Sequence, residues 1–234
     1  MGSVSRTIDL NADLGEEITD DEALLGVVTS ANVACGGHAG TPETMRAVCA
    51  GAARLGVAVG AQVSYVDREH FGRRRLDVDP AVLADQVAAQ IAELDRIGAE
   101  EGAPVVYVKP HGALYNRVVD DPEQAAAVLA GSGDLPVLGL PGGVLLAQAA
   151  AAGRTTWREG FPDRGYTADG RLVPRGEPGA LLAGDQVVGQ ALALAPGVDS
   201  LCLHGDSPGA VTHATHVRRA LTAAGWRLRP FAEA

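Results

Sequence analysis

With 234 residues, 47% of them hydrophobic and 21% charged, the chain can bury a core without disulfides or metal, and its composition excludes a disordered or low-complexity protein. A formal net charge of −10 argues against nucleic acid or an acidic membrane surface as partner. The three cysteines, Cys35, Cys49 and Cys202, lack Cys-x-x-Cys spacing, so neither a disulfide framework nor a zinc knot is indicated.

Short apolar runs alternate with helical segments along the chain. Strands are expected at 7–10, 30–34, 57–61, 105–108, 137–140, 156–159 and 200–203, with a weaker eighth at 227–230. The helices between them carry start signals. Thr41-Pro42-Glu43 joins a capping hydroxyl to a first-turn proline and an acid, and Gly56 closes that helix. Asp79-Pro80 repeats the device ahead of a stripe of Leu83, Val87, Ile91 and Leu94, and Asp121-Pro122-Glu123 uses it again. This alternation implies an α/β architecture: a mostly parallel sheet of seven to eight strands, either closed into a barrel or open and doubly wound. No linker divides the chain, so one domain over 1–234 is expected, and the longest irregular stretch, 163–179, reads as an active-site loop. No apolar run precedes the first strand and none is long enough to span a membrane, so the expected location is the cytoplasm.

Polar residues gather where the strands end. The first strand runs into Asn11, Asp13 and Glu16, the second into Asn32, Cys35 and His38, and the third into Gln62 and Asp67. The fourth leads to Lys109, His111, Tyr115 and Asn116, the sixth to Glu159, Asp163 and Arg164, and the seventh to His204 and Asp206. In a parallel barrel these ends share one face, where residues distant in sequence converge. A rim loaded with acids, imidazoles and a lysine is expected to be an active site. Taken singly, Asp13 also suits a turn, and His38 in Gly-Gly-His-Ala-Gly also suits a helix cap. Lys109-Pro110-His111-Gly112 is the most specific piece, because a lysine ending an apolar strand must be paired or must reach a ligand. Arg73, Arg74 and Arg75 read as a local anion contact or a solvated loop. Cys35 reads as a packed thiol rather than a nucleophile, and His213 and His216 as surface or interface residues.

The segments IDLNADLGE (8–16), VTSANVACGGHAG (28–40), GVAVGAQ (56–62), FGRR (71–74), YVKPHGALYN (107–116), FPDRGYTADGRLVPR (161–175) and LCLHGD (201–206) cover most of the chain. On these segments the chain resembles the LamB/YcsF family. The resemblance implies a distorted (β/α) barrel related to the glycoside hydrolase and deacetylase barrels. It also implies a hydrolase acting on a cyclic amide, which opens 5-oxo-L-proline to L-glutamate with ATP hydrolysis, together with 5-oxoprolinase subunits B and C. Three departures from the family pattern stand out. Gln62 replaces the histidine of Gly-Ala-His-Pro, Gly37 replaces the phenylalanine of Gly-Phe-His, and the segment around 196–199 is short.

On that resemblance, ATP with Mg2+ phosphorylates the lactam oxygen and water attacks the resulting iminol phosphate; no organic cofactor is expected. The catalytic roles fall to Asp13 or His38 as base, and to Lys109 and His111 as stabilisers of the oxyanion or phosphate. Arg73, Arg164 and Arg175 suit a carboxylate or phosphate, with Glu159 and Asp206 orienting the cations. Asn11, Glu16, Asn32, Asp67, Tyr115, Asn116, Tyr166 and His204 complete the expected substrate site. The chain has no Gly-x-x-x-x-Gly-Lys-Ser/Thr loop, so nucleotide would bind by another mode or in a site shared with the partners. Two other classes fit the same residues. One is a stand-alone metal-dependent deacetylase or amidohydrolase, with Asp13, His38 and His111 around a divalent ion. The other is a lactam-binding protein that has lost turnover, for which Gln62 is the mark.

Overall fold

A computed structural model describes residues 6–18, 20–204 and 209–232; Asp206, expected at the site, lies outside the described residues. The first half of the chain forms β1 (Arg6–Leu14), α1 (Asp21–Leu25), β2 (Ser30–Ala34), α2 (Pro42–Leu55), β3 (Ala58–Val63), α3 (Pro80–Glu101) and β4 (Val105–Pro110). It continues with α4 (Gly112–Arg117), α5 (Pro122–Gly131), β5 (Val137–Gly139), α6 (Val144–Ala151), β6 (Thr156–Gly160) and α7 (Asp185–Leu194). Last come β7 (Ser200–Leu203), α8 (Ala210–Ala223) and β8 (Trp226–Leu228). The helix starts work as the sequence implies. Thr41 accepts from the Thr44 amide at the head of α2, while Asp79 and Asp121 accept from first-turn amides of α3 and α5.

All strand pairs are parallel. The order β2-β3-β4-β5-β6-β7-β1, completed by a β1–β2 pairing, closes a ring of seven strands. The eighth strand falls at Trp226–Leu228 and stands outside the ring, paired with Arg6–Ile8 of β1. Three strands run at least two residues further than expected: β1 includes Asn11 and Asp13, β3 includes Gln62, and β4 includes Lys109 and Pro110. Among the described residues, no helix is long and apolar enough to cross a membrane.

The side-chain period of two along β1 divides it sharply. Ile8, Leu10, Ala12 and Leu14 join the apolar core that lies between strands and helices, whereas Asp9, Asn11 and Asp13 project into the barrel. The barrel interior is therefore a stack of hydrogen-bonded polar layers. In the lowest, Asp9 accepts from Thr29 (2.6 Å), Ser30 (2.6 Å) and Ser200. In the next, Asn11 donates to Ser200 (2.6 Å) and Glu159 (3.2 Å), Asn32 donates to Asn11 (2.6 Å), and Tyr107 donates to Asn32 (2.7 Å). Gly60 makes room for the Tyr107 ring, since a Cβ there would meet it at 2.1 Å. Such partners matter here, because a polar group left unpaired in this buried column would cost about 1–3 kcal/mol.

Asp9 sets a pH dependence. Burial pushes its carboxyl up to about 6, against the three hydroxyls that pull it down. A pKa raised on folding contributes stability that is complete below the unfolded value and is lost as pH rises through the folded one. The protein should therefore lose stability between about pH 4 and 6, by roughly 3 kcal/mol at most, and Asp9→Asn should flatten that part of the curve. Denaturant unfolding at a series of pH values measures it; an unchanged slope in the variant would refute the assignment.

Candidate active site

The top layer of the column holds a buried cation between carboxylates. Lys109 Nζ lies 3.0 Å from Asp13 Oδ1 and 2.9 Å from Glu159 Oε1, with Cys202 Sγ at 3.1 Å and the Phe161 ring centroid at 5.4 Å. Burial disfavours the ammonium, yet Asp13 and Glu159 hold its pKa well above the usual value. Burial likewise opposes the Asp13 carboxylate, but Lys109, His204 and His111 keep it below the ordinary range. Asn32 adds a hydrogen bond to Asp13 Oδ1 at 2.9 Å. Both groups are thus fixed in their charged forms.

Beside this pair, His38 and His111 stack with ring centroids 3.8 Å apart and planes 8° from parallel. Glu16 Oε1 lies 3.3 Å from His38 Nε2 and 3.5 Å from His111 Nδ1, and Gln62 Nε2 reaches both Glu16 (3.1 Å) and His111 (2.9 Å). Burial and the neighbouring His38 push the His111 pKa well below its usual value. Phe71 covers both rings edge-on, at 5.3 and 5.7 Å. It does so from the left-handed region (φ 56°), in a loop that closely abuts the β4–α4 turn. A Cβ on Gly112 would meet the Gly72 carbonyl at 2.5 Å.

Above these layers opens a cavity of about 600 Å3, lined by Asp13, Lys109, His111, Tyr115, Phe161 and His204, and by Arg73, Arg75, Arg164, Arg171 and Arg175. On its wall His204 Nδ1 lies 2.9 Å from Asp163 Oδ2. Burial opposes the imidazolium, but the Asp163 and Asp13 carboxylates together outweigh it and raise the His204 pKa. His204 Nε2 is the ring nitrogen this pairing leaves available to a ligand. The cavity accordingly offers a buried lysine, a carboxylate, an Asp–His pair and several arginines in its lining. Such a set is suited to a small anionic substrate and to charge developing on its oxygen.

The structure sorts the other expected residues by position. Asn116 lines the cavity and donates to the Gly112 carbonyl. His38 and Glu16 lie buried, outside the cavity lining. Tyr166 accepts from the Phe161 amide at 2.7 Å, and Asp67 pairs with His70 at 2.8 Å, so both shape loops. Arg164 lines the cavity and also donates to the carbonyls of Ala180 and Val173, pinning the long loop after β6. Cys35 is buried, its thiol pushed up to about 12 by that burial. The sequence reading missed Phe71, Phe161, Ser64 and the contact of Cys202 with Lys109. Only Phe71 and Phe161, each opening a family segment, had a signal to find.

The sequence profile of the LamB/YcsF family matches residues 8–234. The chain belongs to the LamB/YcsF family. Relatives within it include a Streptomyces coelicolor protein named as the A subunit of 5-oxoprolinase, 55% identical over 96% of this chain and 100% of its own length. A Mycobacterium marinum protein of the same name is 49% identical over 96% and 98% of the respective chains. Both alignments extend over more positions than this chain has residues, 249 and 248 against 234, so these LamB/YcsF relatives carry segments it lacks. A solved lactam utilization protein from Thermus thermophilus superposes with a TM-score of 0.89 at 35% identity, over 96% of this chain and 100% of that one. The Bc1960 peptidoglycan N-acetylglucosamine deacetylase superposes at 0.56 with 14% identity, over 97% and 86%; that likeness relates the LamB/YcsF barrel to the deacetylase barrel as a fold.

Proposed function

We propose that the chain is the A subunit of a 5-oxoprolinase, which opens the lactam of 5-oxo-L-proline to L-glutamate, coupled to ATP hydrolysis, in a cytoplasmic complex with subunits B and C. The observation that carries this reading is the full-length identity to relatives of that name, joined to a cavity whose charges match the reaction. The arginines that line it suit the substrate carboxylate and a phosphate. Lys109, held protonated, acts as a fixed cation for the lactam oxygen rather than as a base. Asp13 orients water against the lactam carbon. As the C–N bond breaks, His204, charged by Asp163, donates its proton to the ring nitrogen. ATP, with its Mg2+, would phosphorylate the lactam oxygen, in this cavity or at its border with the partners; loss of the ring nitrogen from the water adduct then leaves an acyl phosphate, and a second water releases glutamate and inorganic phosphate.

The test is glutamate release from 5-oxoproline and ATP, by this chain alone and mixed with its B and C subunits. Release is expected only in the mixture. A well-folded mixture that forms no glutamate would sink the reading.

A further inference from the structure

We propose that Glu16, His38 and His111 form a site for one divalent first-row transition ion of the zinc type, with the Gln62 amide as a switchable fourth ligand. Among the described residues, one oxygen of Glu16 and one nitrogen from each histidine all lie within 4.8 Å of one another. The hydrogen bonds fix which nitrogens face inward. Ser64 Oγ donates to the Tyr65 carbonyl (2.8 Å), so it accepts from His38 Nδ1 (3.1 Å) and leaves the lone pair on His38 Nε2. His111 Nε2 faces the Phe71 carbonyl (3.3 Å), which leaves the lone pair on His111 Nδ1. Each imidazole therefore points its bare nitrogen at Glu16 Oε1 while its other nitrogen is held by an acceptor, the arrangement that orients metal-bound histidines.

Lone pairs converging on a carboxylate oxygen repel unless a positive charge stands between them. A metal ion relieves all of these contacts together. In the present arrangement the Gln62 NH2 group occupies that role toward Glu16 and His111, and its Oε1 is buried without a hydrogen-bond partner among the described residues. A half-turn of the amide exchanges the two atoms. It would be unfavourable against the bare acceptors, yet it would present an oxygen ligand to a cation. Two imidazoles with carboxylate and amide oxygens suit a borderline ion such as Zn2+ better than Mg2+ or Ca2+, which prefer all-oxygen shells. The sequence offered Asp13 as the acid of such a set, but its Oδ1 is engaged by Lys109 and Asn32, and its Oδ2 stands 3.9 Å from His111 Nδ1. Because His111 and Asp13 line the cavity, the ion would adjoin the reaction space.

The site stands independently of the substrate reading, and its test needs no turnover. The full chain, stripped with chelator and dialysed, is titrated calorimetrically with Zn2+, and Co2+ serves as the spectroscopic probe of nitrogen ligation. One ion per chain is expected. Glu16→Gln and His38→Ala should each weaken it at least about 10-fold, and Ser64→Ala, which removes the acceptor holding His38, by about 10–100-fold. Gln62→His should tighten it. Circular dichroism checks each fold; if His38→Ala does not fold, Glu16→Gln and Gln62→His decide. No stoichiometric binding to the stripped chain, or binding untouched by both of those changes, would overturn the site.

Discussion

Replacing Lys109 with methionine is expected to abolish glutamate release in the reconstituted mixture and to cost about 3–5 kcal/mol of folding stability. The Lys109 ammonium touches Asp13 and Glu159 within 3.0 Å, and all three are buried. Methionine keeps much of the volume but removes the charge, which leaves two buried carboxylates without the ammonium they share. The cheapest repair is for one of them to take a proton. Its folded-state pKa then exceeds the unfolded value, so the variant should recover part of the deficit as pH falls. Denaturant unfolding of both proteins across acidic pH tests this. A variant as stable as the parent at neutral pH would mean that water or another cation reaches the carboxylates, against the geometry described above.

Asp13→Asn separates chemistry from folding. The amide oxygen can still accept from Lys109 and Asn32, and Lys109 keeps Glu159, so one positive and one negative group remain matched. Stability should change by less than the lysine substitution does. Turnover should fall by about 10²–10⁴-fold, because the neutral amide can no longer polarise a water molecule. Steady-state kinetics in the mixture should place the loss in kcat rather than KM. A loss confined to KM would make Asp13 a binding group and move the proton-handling role to His204.

Much of this was readable in the sequence. The strands were placed within a few residues because short apolar runs bounded by Gly and Pro are local signals, and the caps of α2, α3 and α5 are local chemistry. Convergence of Asp13, Lys109, His111 and His204 followed from parallel strands opening on one face. What the sequence could not disclose was which side of each strand is inside. The alternation in Thr7-Ile8-Asp9-Leu10-Asn11-Ala12-Asp13-Leu14 fits a strand with its polar side in solvent equally well. Only ring closure through the β1–β2 pairing turns that side into a sealed interior. Ser64, Phe71 and Cys202 were missed for a related reason: their roles come from contacts across 26, 40 and 93 residues of sequence, and no local pattern encodes such a contact. The family departures also become physical. A Cβ on Gly37 would stand 2.4 Å from Gln90 and 2.7 Å from Ser64, so a phenylalanine here would displace the very groups that hold His38.

The pairing of β1 with β7 and β8 has a consequence for how the protein is made. Asp9 meets Thr29 and Ser30 as soon as β2 is made but meets Ser200 only across 191 positions, so β1 waits for β7 before its inward groups are fully paired. Until then the nascent chain carries an open parallel edge and a row of only partly matched polar groups, and contacts of such long range form slowly. Truncated or stalled products would be left in this unfinished state, open to chaperones and proteases. Because Asn11 and Asp13 lie on that same late-closing strand, the barrel and its reaction site are completed in one step, and a partly synthesised chain has neither.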